Sequence, residues 1–220
     1  MHDRKFLKWV AATVLVLALA SQALAAKQVI ITANKKLSYQ GAKGDAMVEG
    51  SVKIVYDTTV INAERVVFNS DNKTAKVDSG VRIEQGDIVI TANVMNADFK
   101  TEKLTVSGNV RLEMTETLQE KDAKGLPKKD VIVLTAGSME IDINTTDFTA
   151  KGGVVITKEG QKAQAADAAY IDAEKKLVLT SGVTIETEDG DTVKADKAVV
   201  YTDRDTFEAE GQKIEISFNV

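Results

Sequence analysis

Leu104, Val106, Val110 and Leu112 share one parity along the chain, with Gly108 between them, while Thr105, Ser107, Asn109 and Arg111 share the other. This period of two predicts a strand with one apolar and one wet face. Variants recur at Gly50-Ser-Val-Lys-Ile54, Ser79-Gly-Val-Arg-Ile83, Gly152-Gly-Val-Val-Ile156, Ser181-Gly-Val-Thr-Ile185 and Gly211-Gln-Lys-Ile-Glu-Ile216. Their glycines are spaced by 30, 28, 44, 30 and 29 residues. An alanine precedes each glycine, Ala33 and Ala63 by 17 positions and Ala92, Ala136, Ala166 and Ala195 by 16. A polar or acidic residue follows the alanine in most copies, as in Ala63-Glu64, Ala166-Asp167 and Ala195-Asp196.

The chain thus reads as six strand-turn-strand units of about 30 residues, which bury their apolar faces by stacking on one another. Polar turns such as Asn69 to Lys73, Lys100 to Lys103 and Asp172 to Lys176 join the two strands of a unit. A glycine in mid-strand costs stability unless the backbone needs it, so each marks a bend or bulge. Gln161 to Ala169 is alanine-rich and helix-prone, but the repeat register overrides that propensity and predicts a strand. The long interval comes from a charged loop insertion at about 115–130, which holds the only proline, Pro127, and reads as a solvated hairpin loop.

The first 25 residues read as a cleaved secretory signal: Arg4, Lys5 and Lys8 precede an apolar run from Val10 to Ala20, and Ala23-Leu24-Ala25 makes a small-x-small box. One continuous domain, 27–220, follows. The formal net charge of −5 becomes −7 without the signal, which disfavours nucleic acid as a partner. The chain has no cysteine, and its one histidine, His2, lies in the signal, so thiol and imidazole nucleophiles and the usual zinc sets are excluded from the domain. The acids fall on turn and repeat positions, which argues against a carboxylate-pair hydrolase. Neither catalysis nor a metal or other cofactor is expected.

Two features bear on function. The inward parity is filled with Val, Ile, Leu, Ala and Met and few aromatics, so the interior is either an ordinary packed core or a space lined for an apolar guest. The first and last strands, around Val29 and Ile31 and around Ile214, Ile216 and Phe218, have no proline to guard them and are candidate edges for pairing with another sheet. The last unit also shifts parity, with Lys213 in an expected apolar place.

Val60-Ile-Asn-Ala-Glu-Arg-Val-Val-Phe68, Val193-Lys-Ala-Asp-Lys-Ala-Val-Val-Tyr201 and Ser107-Gly-Asn-Val-Arg-Leu112 resemble the repeated strands of the OstA-like β-jellyroll family, and the likeness spans nearly the whole domain. The resemblance implies an all-β fold, an elongated, twisted jelly roll open at both ends. It implies a periplasmic protein of a Gram-negative bacterium whose apolar groove takes the acyl chains of lipopolysaccharide. It also implies head-to-tail strand pairing, with inner-membrane LptC-like and outer-membrane LptD-like partners or with further copies of itself. The positions carried over as groove lining are Val52, Ile54, Val66, Phe68, Val81, Ile83, Val106, Val110, Leu112, Val154, Ile156, Val183 and Ile185. Two alternatives stand beside the bridge, a membrane-anchored LptC-like receptor of the same pathway and a structural or carbohydrate-binding β-solenoid.

Overall fold

The computed structural model describes residues 27–40, 44–121, 125, 127–202 and 206–218. The signal segment lies outside the described residues. Sixteen strands form one antiparallel sheet: β1 (Val29–Thr32), β2 (Lys36–Gln40), β3 (Asp45–Tyr56), β4 (Thr59–Asn69), β5 (Thr74–Val77), β6 (Val81–Gln85), β7 (Ile88–Ala92), β8 (Val94–Asp98), β9 (Lys103–Lys121), β10 (Pro127–Asp142), β11 (Phe148–Lys158), β12 (Gln161–Ile171), β13 (Lys176–Glu186), β14 (Thr192–Tyr201), β15 (Thr206–Glu210) and β16 (Glu215–Ser217). The only described helix is one 3-10 turn at Asp172–Glu174. The alanine-rich stretch is strand β12, as the repeat register demands.

The glycines fold this sheet into two layers. At the repeat glycine the ladder loses register, between Glu49 and Val52, Lys151 and Val154, and Thr180 and Val183. Two successive residues there take positive φ, as at Gly108 (75°) and Asn109 (53°). Only glycine adopts that conformation without cost, and the strand turns a corner. Each long strand therefore gives one half to each layer. β4 shows it most simply, pairing β6 through 59–63 and β5 through 67–69. One layer runs from β1 to β16 and the other from β2 to β15, and the outer edges are unpaired among the described residues. The result is an open β-jellyroll with its corners on one side and a seam of hairpin ends on the other.

The inner face of the first layer carries one cross-strand row: Ile31, Ile54, Ile61, Ile83, Ile90, Leu112, Leu134, Ile156, Ala163, Ile185, Val193 and Ile216 are register neighbours in that order. Burying each of Ile54, Ile61, Ile83, Ile90, Leu112 and Leu134 removes apolar surface worth about 1.5–3 kcal/mol from water. The row joins the two strands singled out as edges.

Two details of the sequence reading need correction. The alanine of the fifth unit is Ala165, which is buried and pairs with Val154 at the corner, whereas Ala166 is exposed. Nor is the insertion a loop: β9 and β10 continue as a ladder through Thr117 and Lys129 to Lys121 and Pro127, because alternating residues keep pairing beyond the layer edge. Its tip, 122–124 and 126, lies outside the described residues.

The acid after the repeat alanine has a structural use. Asp196 accepts a hydrogen bond from the Gln212 backbone N–H at 2.9 Å, and Glu64 accepts one from Ser51 N–H at 3.2 Å, so the side chain satisfies a backbone donor freed at a neighbouring corner. The last unit departs from the others, since Gly211 lacks the positive φ of the other corner glycines.

Candidate functional site

The seam differs between its two halves. In the N-terminal half it is laced across. Tyr56 Oη donates to Glu102 Oε1 at 2.8 Å, and Gln85 Nε2 donates to the Ile143 carbonyl at 2.9 Å. Lys27, just ahead of β1, reaches Glu102 at 2.6 Å and Asn144 at 3.2 Å, with its ammonium 5.7 Å from the centre of the Tyr56 ring. Tyr56 also packs on Phe99, ring centroids 5.2 Å apart. Beneath this lacing the inner side chains are sealed, with Ile54 and Val106 at 0% exposure, and the void among Ile83, Leu104, Leu112, Ile141 and Phe148 measures only about 20 Å³.

The lacing is pH-sensitive at both extremes. Hydrogen bonds from Lys27 and Tyr56 hold the Glu102 carboxyl below the usual carboxylate range. Its contribution is complete above the unfolded value near 4.3 and is lost as pH falls through the lowered native value. Burial first, then the Glu102 hydrogen bond, pushes the Tyr56 phenol up to about 12. That contribution is complete below about pH 10 and is lost as pH rises through 12. Glu102→Gln should therefore lower the melting temperature at pH 7, with the difference closing as pH falls through the lowered carboxylate value. An undiminished difference at acid pH would show that the carboxylate charge is not what ties the seam.

In the C-terminal half the layers part and leave a cavity of about 450 Å³ between β11, β12 and β13 of the first layer and β13, β14 and β15 of the second. Its depth is apolar, lined by Ile132, Ile156, Ala163, Leu177, Ile185 and Val200. Lys158, Gln161, Lys162, Glu186 and Thr187 form one lip, and Tyr201, Thr202 and Thr206 form the other with Phe207. The polar groups all sit at strand ends along the seam, so the mouth faces sideways. The volume lies within the range of small-molecule sites, about 300–1,000 Å³. Side-chain volume contributes to the space here. Ala163 occupies a place that Ile61, Ile90 and Leu134 hold elsewhere in the inner row, and the three carbons it lacks relative to them add to the room left where the layers part.

Of the positions carried over as lining, Val52, Ile54, Val66, Val81, Ile83, Val106, Val110, Leu112, Val154 and Val183 are buried in the packed interior, and Phe68 is half-buried against it. Ile156 and Ile185 reach the cavity. Leu177, Val200, Ala163 and Phe207 line it without having been singled out. The alanine run in β12 was the available signal, since small residues in an otherwise Ile/Leu row mark missing volume. At the chain ends, Val29 and Ile31 pack half-buried against the core. Ile214, Ile216 and Phe218 are 46%, 54% and 69% exposed, with Ile216 continuing the inner row beyond Val193.

The described residues thus form an open jelly roll with an apolar interior and a lateral mouth. Residues 16–115, somewhat under half of the chain, match the family model described as lipopolysaccharide-assembly, LptC-related. Among solved structures, the chain is similar to the crystal structure of LptH from Pseudomonas aeruginosa, described as the LptA-homologous periplasmic component of the conserved lipopolysaccharide transport device. That likeness has 14% sequence identity and a TM-score of 0.28, and covers 88% of this chain and 96% of the other. No curated protein matches the sequence. No described helix is long and apolar enough to cross a membrane.

Proposed function

We propose that the protein is a non-catalytic carrier that holds lipopolysaccharide by its acyl chains in the cavity between β11–β13 and β13–β15, and passes it between membranes. The observation that carries this reading is the 450 Å³ apolar space whose polar groups are gathered at the seam. A chain entering it gains about 0.8 kcal/mol per methylene, enough to hold a multi-chain amphiphile in water with no chemical step. The unpaired sheet edges, β1 and β2 at one end and β15 and β16 at the other, offer backbone donors and acceptors for strand addition by LptC-like and LptD-like partners or by a second copy. Export to the periplasm behind a cleaved signal completes the reading. The test is displacement of an environment-sensitive apolar dye from the purified protein: lipopolysaccharide should displace it saturably and its deacylated core should not. Displacement by the core alone would defeat the reading.

The membrane-anchored receptor is the second reading. It is favoured by one observation, that the LptC-related match begins at residue 16, inside the apolar run from Val10 to Ala20. N-terminal sequencing of the protein from membranes and from periplasm separates the two, a start at Ala26 or Lys27 belonging to the soluble bridge.

A further inference from the structure

The C-terminal cavity and the small void of the N-terminal half lie in line along the same inner rows. In the second layer Ile141, Phe148, Tyr170, Leu177 and Val200 are successive register partners across β10 to β14. Ile141 and Phe148 line the void, Leu177 and Val200 line the cavity, and Tyr170 lines neither. The first layer repeats the arrangement: Leu112 borders the void, Ile156 borders the cavity, and Leu134 between them borders neither. One residue in each layer therefore stands between the two spaces. The residues flanking it in its row are only two strand spacings apart, about 10 Å.

Tyr170 is the larger of the two and is held at both ends. Its ring, 6% exposed, stacks on Phe148 with centroids 5.3 Å apart, and its hydroxyl donates to Asp172 Oδ1 at 3.1 Å, just past the end of β12. Asp172 is fixed in turn, since its backbone N–H donates to Asp147 Oδ1 at 2.8 Å and its carboxylate accepts from Lys175 Nζ at 2.8 Å. The ring thus runs from the inner row to the seam. Beyond it the void of about 20 Å³ has room for about one water, so a chain lying in the cavity stops at the ring.

Resting on the proposed carrier function, we infer that Tyr170 is a specificity-determining residue that closes the inner end of the chain site and so sets the length of alkyl chain the cavity takes. A methylene that enters apolar space strengthens binding about fourfold, whereas one that meets a fixed ring adds nothing. Affinity therefore climbs with chain length and then levels off. Without the ring, the cavity, the ring's own volume and the void run together, and the chain site lengthens toward Ile141 and Leu112.

The experiment is calorimetric titration of the full-length purified protein with hexyl, octyl, decyl, dodecyl and tetradecyl maltoside, each below its aggregation limit. Wild-type affinity should rise about fourfold per methylene through the short homologues and then stay flat. Deleting a buried ring destabilises, so Tyr170→Val, which keeps a strand-forming residue, is made beside Tyr170→Ala. In either variant that melts cooperatively the plateau should begin at least one homologue later, so that the longest homologue binds at least about tenfold more tightly than to wild type. Tyr170→Phe should keep the wild-type plateau. A second measurement needs no variant: an alkyl maltoside of plateau length with a terminal diazirine should label Tyr170 or Leu134 in the wild-type protein. A rise without a plateau in wild type, a plateau that does not move in a folded Val or Ala variant, one that moves equally in Tyr170→Phe, or labelling at Ile216 and Phe218 instead overturns the inference and leaves the carrier reading standing. Failure of every homologue to bind overturns both.

Discussion

Ala163→Trp should weaken chain binding markedly and leave the fold intact, whereas Val106→Trp should unfold or strongly destabilise the same protein. Ala163 lies in the cavity wall, beside about 450 Å³ of space, and an indole there meets the apolar faces of Ile156, Ile185 and Leu177. The added surface is buried in an existing void, so the variant should melt at or above the wild-type temperature while its apolar-dye and lipopolysaccharide signals fall. Val106 is 0% exposed, between Met95 and Met139 in the ladder, and lines neither of the two cavities described. Forcing an indole into that interior displaces neighbours on both layers and costs upward of about 3 kcal/mol. One substitution type, placed in two halves of one repeat fold, separates the packed half from the open half. Melting curves and dye binding on both variants check it, and loss of fold in Ala163→Trp would mean that the cavity is not a real vacancy.

Gly108→Val removes a corner. Gly108 has φ of +75°, a region in which a β-branched residue is a strained outlier. A Cβ there would also come within 3.0 Å of the Asn93 side chain. Strain and crowding together should cost about 2–3 kcal/mol, lowering the melting temperature by about 5–10 °C. Because β9 pairs β8 before the corner and β7 after it, the damage should extend to both layers. Hydrogen exchange should show lost protection in 88–98 as well as in 103–114. Exchange confined to residues around Gly108 would mean that the corner is not a shared hinge of the layers.

These expectations show which parts of the molecule were readable from residue order. The strands and corners were legible because each unit repeats the same local physics, an alternating run interrupted by a glycine, and six copies reinforce a signal that one copy carries weakly. The inner face was legible for the same reason: Val106, Val110 and Leu112 point inward as their parity requires. Which inward residues border empty space was not legible. That depends on whether neighbouring strands supply enough volume, and the deciding residue, Ala163, sits in a stretch whose visible property was helix propensity. Lys158 was hidden in another way. A lysine at a strand end reads as solvated surface, and only the fold shows that it stands beside the buried Asp130 of the neighbouring strand β10 and lines the cavity. The insertion shows the limit of composition, since charge and a proline suggested a loop while the ladder runs on through Thr117 and Lys129.

The N-terminal lacing and the C-terminal mouth give the jelly roll a direction. A chain entering at the seam near Ile185 meets open space, whereas passage toward Val52 and Ile54 meets a packed interior tied across by Tyr56, Glu102 and Lys27. The most direct measurement of the central claim is site-specific photocrosslinking to lipopolysaccharide, with the photoreactive residue placed at Ile185 in the cavity or at Arg111 on the outer face. The account predicts lipopolysaccharide adducts from Ile185 and none from Arg111. Adducts from Arg111 with none from Ile185 would contradict it.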